Sequence, residues 1–291
     1  MEAEQNSTAI LLPINLEAIS KTEEVFTQAQ VSVRDIHPVS FNLRQQLNIR
    51  LPRKDIQNIY SCITIGNSCV FTDYYNNQLT IYNTDGTDAH HISLSNKPLY
   101  ITKVDSSTVA VSCTGKTILM INMCTGSVTS SIETSGRCYG IEYDENNLYV
   151  VTDKGINMMD LTGKFKRTIP VPSVNINDIS VYRDKLVCLD NRSIYCCSLD
   201  GQLEWQFKND QFQSLRRVTT DGEGNVYATD QWTNTIVVVF EHCNQYRDIL
   251  TGLDGLDKPC GIHFDKKENF LLVSNAYVGK AFLFDIKKKL A

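Results

Sequence analysis

The sequence predicts an all-β protein: a six-bladed β-propeller of four-stranded blades, preceded by a short N-terminal helical linker. Three observations lead there. Pairs of short strands rich in Val, Ile, Leu, Tyr and Phe recur six times along the chain. Anchor residues at or just past the end of the first strand of each pair, Asp73, Cys113, Asp153, Asp190, Asp230 and Asn275, follow one another at about 40 residues, the length of one propeller blade. Helical periodicity is absent from this whole region, and Gly, Asn and Asp punctuate it instead.

Residues 1–40 read as an extension, with Leu16, Ile19, Val25 and Phe26 forming one apolar face of a short helix over Leu16–Gln30. Residues 41–291 read as the propeller. Its first segment, Phe41–Leu51, alternates as a strand does. The six strand pairs then follow in order: Cys69–Asp73 with Gln78–Asn83, Thr108–Ser112 with Lys116–Asn122, and Asn147–Asp153 with Gly155–Asp160. The last three are Lys185–Asp190 with Ser193–Ser198, Asn225–Asp230 with Asn234–Phe240, and Phe270–Asn275 with Gly279–Asp285. Turn signals at Asp85-Gly86, Thr125-Gly126, Thr162-Gly163 and Asp200-Gly201 follow the first four pairs. The last copy has room for three strands only, so Phe41–Leu51 is expected to supply its outer strand and cover an otherwise unpaired edge.

Composition narrows the class. A chain of 291 residues suits one closed all-β domain. A formal net charge of −5 argues against wholesale attraction to nucleic acid or a membrane surface, and neither DNA nor a membrane is an expected partner. No apolar run approaches the roughly 18 residues of a membrane span and no signal peptide is seen, so the expected compartment is the cytoplasm. Ten cysteines occur without a C-x-x-C pair, several inside apolar strands. They read as reduced, buried small hydrophobes, with no zinc site and no cofactor expected.

The opening motifs Pro259-Cys-Gly261-Ile262 and Cys138-Tyr-Gly140-Ile141, and above all the run Asp221-Gly-Glu-Gly-Asn-Val-Tyr-Ala-Thr-Asp230-Gln-Trp-Thr-Asn234-Thr-Ile236, resemble NHL repeats. The resemblance covers about residues 55–286; Cys113 and Asp178-Ile179 depart from the pattern in the second and fourth copies. It implies the C-terminal NHL domain of tripartite-motif proteins, in which the propeller brings targets to a ubiquitin-ligase RING. No RING or B-box stands in this sequence, so ligation by the chain alone is not expected.

The blade map assigns loops to two faces. One carries Tyr74, Tyr75, Lys97, Lys116, Arg137, Tyr139, Lys154, Arg192, Arg216, Arg217, Trp232, Lys258, Tyr277 and Lys280. The other carries acids such as Asp85, Asp105, Asp160, Asp200 and Asp221. A basic, aromatic face suits a protein interface or single-stranded RNA, because aromatics and Arg anchor interfaces and aromatic rings stack on bases. The anchor acids read as caps for loop amides.

Several motifs imitate catalytic ones. Gly136-Arg-Cys138-Tyr-Gly140 has the spacing of a nucleophile elbow, but a strand follows it where a helix is required. Asp221–Asn225 lacks the calcium-loop glycine and terminal glutamate at their offsets. His263 alternates within a strand and reads as packed or half-exposed. Asn175, Asn177 and Asp178 are the residues that a calcium-dependent propeller hydrolase or lactonase would use, without matching carboxylates in the other blades. The expectation is therefore a non-catalytic platform for a protein partner. Single-stranded RNA binding is the first alternative and the hydrolase the second.

Overall fold

The computed structural model describes residues 39–49, 59–87, 89–240 and 245–288, and they form six separate four-stranded antiparallel sheets. The expected helix at Leu16–Gln30 lies outside the described residues. Strand β1 (Val39–Asn48) precedes the first complete blade, which holds β2 (Ile59–Ile65), β3 (Ser68–Asp73), β4 (Gln78–Asn83) and β5 (His90–Ser93). Blade two holds β6 (Pro98–Lys103), β7 (Thr108–Cys113), β8 (Thr117–Asn122) and β9 (Ser127–Glu133). Blade three holds β10 (Cys138–Asp144), β11 (Asn147–Thr152), β12 (Gly155–Met159) and β13 (Phe165–Ile169). Blade four holds β14 (Asp178–Tyr182), β15 (Lys185–Leu189), β16 (Ser193–Ser198) and β17 (Leu203–Lys208). Blade five holds β18 (Leu215–Thr220), β19 (Val226–Asp230), β20 (Thr235–Val239) and β21 (Tyr246–Leu250). A single 3-10 turn, Gly252–Asp254, leads into blade six, made of β22 (Pro259–Asp265), β23 (Phe270–Asn275), β24 (Lys280–Lys288) and β1.

Strand periodicity explains why the sheets stand side by side. Successive side chains of a strand point to opposite faces, so one strand serves two cores. In β8, Ile118 and Met120 enter the core between blades two and three, while Leu119 and Ile121 enter the core between blades one and two. Every neighbouring pair of blades shares one such core, six in all among the described residues. Each buried Val, Leu or Ile contributes about 1.5–3 kcal/mol, and no blade could bury both its faces alone. The innermost strands β2, β6, β10, β14, β18 and β22 contact one another in sequence, and β22 returns to β2.

The ring is sealed by β1, which pairs antiparallel with β24 from Val39 opposite Lys288 to Asn48 opposite Lys280. Leu47 and Ile49 sink into the core between blades six and one, beside Ile59, Phe71 and Leu283. Arg44 pairs with Asp285 at 2.5 Å and lies over the Phe270 ring.

Two kinds of local device fix the loops. Asp73 accepts from the Asn76 amide, Asp190 from those of Arg192 and Ser193, and Asp230 from those of Gln213, Ser214 and Trp232. Asn275 holds the Asp257 amide in the same way, whereas Asp153 is exposed. On the opposite face Asp85, Asp105, Asp160, Asp221 and Asp265 each accept from amides of their own turns. The second device is Gly140, whose absent side chain lets β14 approach: a Cβ there would stand 2.6 Å from the Asp178 Cα.

Candidate functional site

In each blade the loop between second and third strands opens on the same side as the connection to the next blade. The described residues place two arcs on that face. Blades five, six and one present Trp232 (67 % exposed), Tyr277 (48 %) and Tyr75 (47 %), with Leu253 and Val278 exposed beside them. Blades two, three and four present the exposed cations Lys116, Arg137, Lys154 and Arg192.

The aromatic arc is an organised cluster. Tyr75 meets Tyr74 edge-on at 5.2 Å, and Tyr74 lies 5.2 Å from Tyr60. Lys97 Nζ sits over the Tyr74 ring at 4.9 Å, and Lys258 Nζ over Tyr277 at 5.3 Å. These contacts hold the rings in place and set positive charge among them, at a worth of about 0.5–1 kcal/mol per exposed cation–π pair. Burial and the neighbouring Cys260 push the Tyr60 phenol up, so it remains a neutral donor. The turn that carries Trp232 is pinned by Asp230, whose Oδ1 accepts from the Trp232 backbone amide at 3.1 Å.

The remaining residues named from the sequence differ in exposure and position. Tyr139 is half-buried against the core between blades three and four. Arg216 is half-buried and donates from Nε to Gln231 at 3.1 Å, beside the Trp232 turn. Lys280 is exposed at the start of β24. Arg217 is not on the face at all. It is 3 % exposed and reaches into the central channel, at a register shift between Leu215 and Val218 that breaks the alternation of β18. Tyr60 and Lys258 complete the cluster. Tyr60 escaped the sequence reading because it stands one residue into an inner strand, where no loop signal marks it.

Inside the channel Arg217 is held on several sides. Its Nε donates to the Tyr60 carbonyl at 2.6 Å and its Nη2 to the Leu99 carbonyl at 3.3 Å. The guanidinium carbon stands 3.3 Å from the Tyr100 ring centroid, and Nη1 stands 3.6 Å from Asp178 Oδ1. Burial pushes the Asp178 carboxyl up to about 6 against the pull of Arg217. Asp178 is thus a structural partner whose Oδ2 accepts from the Val218 amide at 3.0 Å. Beyond them the channel holds Glu142, raised by burial to about 8, and His263, lowered by burial to about 4. At neutral pH both are uncharged.

The imitators of catalytic motifs have plain structural roles. Cys138 of the apparent elbow is buried at the start of β10, its thiol pushed up by burial. Asp221 closes a β-turn by accepting from the Glu223 and Asn225 amides. The described cysteines form no disulfide, and all but Cys124 are buried. No group of three or more His, Cys, Asp or Glu converges as metal ligands among the described residues.

Known structures share this architecture. A protein of unknown function from Bacteroides thetaiotaomicron superposes with a TM-score of 0.67 at 14% identity, over 87% of this chain and 76% of that one. A virginiamycin B lyase from Staphylococcus aureus superposes with a TM-score of 0.63 at 15% identity, over 84% of this chain and 99% of that one. At such identity the likeness is one of fold alone. No protein-family model matches the chain, and no curated protein sequence does.

The chain is a six-bladed β-propeller. Among the described residues no helix is long and apolar enough to cross a membrane.

Proposed function

We propose that this propeller is a non-catalytic platform that receives a protein partner on the arc formed by blades five, six and one. The observation that carries the reading is the exposure of Trp232, Tyr277 and Tyr75 on one face, each on a short turn of a closed ring. Large rings presented on a rigid scaffold lose little conformational entropy when covered, and aromatics dominate interface energetics. The NHL-like runs at Asp221–Ile236 and Pro259–Ile262 support the same reading, since NHL propellers of tripartite-motif proteins receive target proteins in the cytoplasm for the ubiquitin pathway. Replacing Tyr75, Trp232 and Tyr277 with Ala tests it: the fold should survive and partner binding should be lost.

The cationic arc favours a second reading, single-stranded RNA running from Lys116, Arg137, Lys154 and Arg192 onto the aromatic rings. Phosphate contacts give a steep linear fall of log affinity with log salt, which a partner held by aromatic anchors does not show. A catalytic reading, as a lyase or a calcium-dependent hydrolase, draws only on the shared fold and on Asn175, Asn177 and Asp178. Asp178 is already committed to Arg217 and to the Val218 amide.

A further inference from the structure

The central channel holds a cavity of about 300 Å³ between the inner strands. The Arg217 brace stands at its end nearer the aromatic arc, the guanidinium occupied by two carbonyls, the Tyr100 ring and Asp178. Two residues further along the strands of Arg217, Tyr100 and Asp178 stand Thr219, Thr102 and Ser180, flanked by Glu142 of blade three and His263 of blade six. The hydroxyls at this depth are spent on the protein. Thr102 donates to Glu142 at 3.4 Å and accepts from the Tyr143 amide, Thr219 accepts from the Phe264 amide, and Ser180 pairs with Thr220. The groups towards the far mouth are not spent. His263 is half-buried and its ring makes no hydrogen bond among the described residues. Lys103 of blade two and Lys266 of blade six line the mouth, both exposed and without an ion-pair partner among those residues. The Tyr182 ring, 5.7 Å from Lys266 Nζ, steadies that side chain. The acids nearby are occupied: Asp265 accepts from the Thr64 hydroxyl and the Lys267 and Glu268 amides, and Asp105 from the Ser107 and Thr108 amides. Two uncompensated cations at the mouth of a narrow channel focus their field on whatever enters it.

We infer that the channel is a binding site for a small organic phosphate monoester, whose phosphate is held by Lys103, Lys266 and His263 at the mouth while its hydroxylated body reaches Glu142 inside.

Charge, donor geometry and size select this class. Each lysine is a point charge with three rotatable donors, a common partner of phosphate. Lys103 and Lys266 come from different blades, so they meet a tetrahedral phosphate, which accepts from several directions, better than a planar carboxylate. Burial leaves Glu142 protonated and His263 neutral at neutral pH. The imidazole then donates from one nitrogen, and the carboxyl both donates and accepts, as a ligand hydroxyl requires. The cavity lies at the small end of ligand pockets, which run from about 300 to about 1,000 Å³, and so fits a compact ester. The site opens on the face opposite the aromatic arc and does not rest on the platform reading.

Calorimetry on the whole protein at low ionic strength, with glycerol phosphate and glycerol as probes, tests the inference. The expected result is that glycerol phosphate binds at about 1 mM or tighter, with glycerol at least about tenfold weaker. A Lys103→Met/Lys266→Met variant changes only exposed side chains, so it should keep the fold and lose affinity by at least about tenfold. Lys164→Met, an exposed lysine of the turn before β13, should bind as the wild type does. Absence of glycerol phosphate binding, equal binding of glycerol, a smaller loss in the double variant, or an equal loss in Lys164→Met would overturn it.

Discussion

Arg217 and Tyr100 stack across the central channel, the guanidinium carbon 3.3 Å from the ring centroid, although they belong to the inner strands of blades five and two. The same guanidinium reaches the Tyr60 carbonyl of blade one and stands beside Asp178 of blade four. One side chain therefore cross-braces four blades. Arg217→Ala should destabilise the fold by about 3–5 kcal/mol in urea unfolding, because it strands Asp178 as a buried charge. Adding Asp178→Asn should recover part of that loss. A single Arg217 variant as stable as the wild type would refute the brace.

Closure of the ring rests on packing more than on charge. Leu47→Ala, deep in the core between blades six and one, should cost about 2–5 kcal/mol. Arg44→Ala, on the half-exposed ion pair with Asp285, should cost under about 1 kcal/mol. Denaturant midpoints of the two variants compare them directly.

How these elements showed in the sequence follows from where their side chains go. Middle strands such as Thr117–Asn122 are buried on both faces and read as unbroken apolar runs. Outer strands such as Ser127–Glu133 and Phe165–Ile169 are mostly exposed and polar, so they leave little trace. The alternation at Phe41–Leu51 pointed to a strand, and β1 occupies Val39–Asn48 against β24. The site was legible only where loops carried it. Trp232, Tyr75 and Tyr277 stand in turns flanked by recognisable strands, whereas Arg216 and Arg217 are chemically identical neighbours at a register shift in β18 that the sequence does not mark. Glu142 and His263 gave no sign of the channel, because their pKa shifts arise from burial by other blades.

Glycine at the third position of the Gly-Ile motif has a steric reason in blade three. Gly140→Ala would drive a Cβ to within 2.6 Å of the Asp178 backbone and should cost about 1–3 kcal/mol. Gly222→Ala, with nothing within 4 Å, should change stability by less than about 0.5 kcal/mol. Equal thermal midpoints for the two would remove the close-approach explanation.

Glu142 sets a pH dependence. Burial first, with Asp178 and Asp144 adding to it and Lys266 and Thr102 opposing, raises its folded pKa to about 8, above that of an exposed carboxyl. Between the two values the folded state holds a proton that the unfolded chain releases, so this group's contribution falls as pH rises through that window. Glu142→Gln should therefore gain stability over the wild type progressively from about pH 5 to about pH 8. His263, lowered to about 4 by burial, acts in the opposite sense, its contribution growing from about pH 4 to about pH 6.5. A constant difference between Glu142→Gln and the wild type across this range would contradict the assignment.

Affinity capture from RNase-treated extract, quantified for three forms of the protein, tests the proposed platform most directly. The forms are the wild type, the Tyr75→Ala/Trp232→Ala/Tyr277→Ala variant, and an Asp160→Asn/Asp200→Asn variant on the opposite face. Partner proteins held by the first and third forms but lost from the second are the predicted result. Equal capture by all three, or capture that RNase removes, would contradict a protein-binding role for this arc.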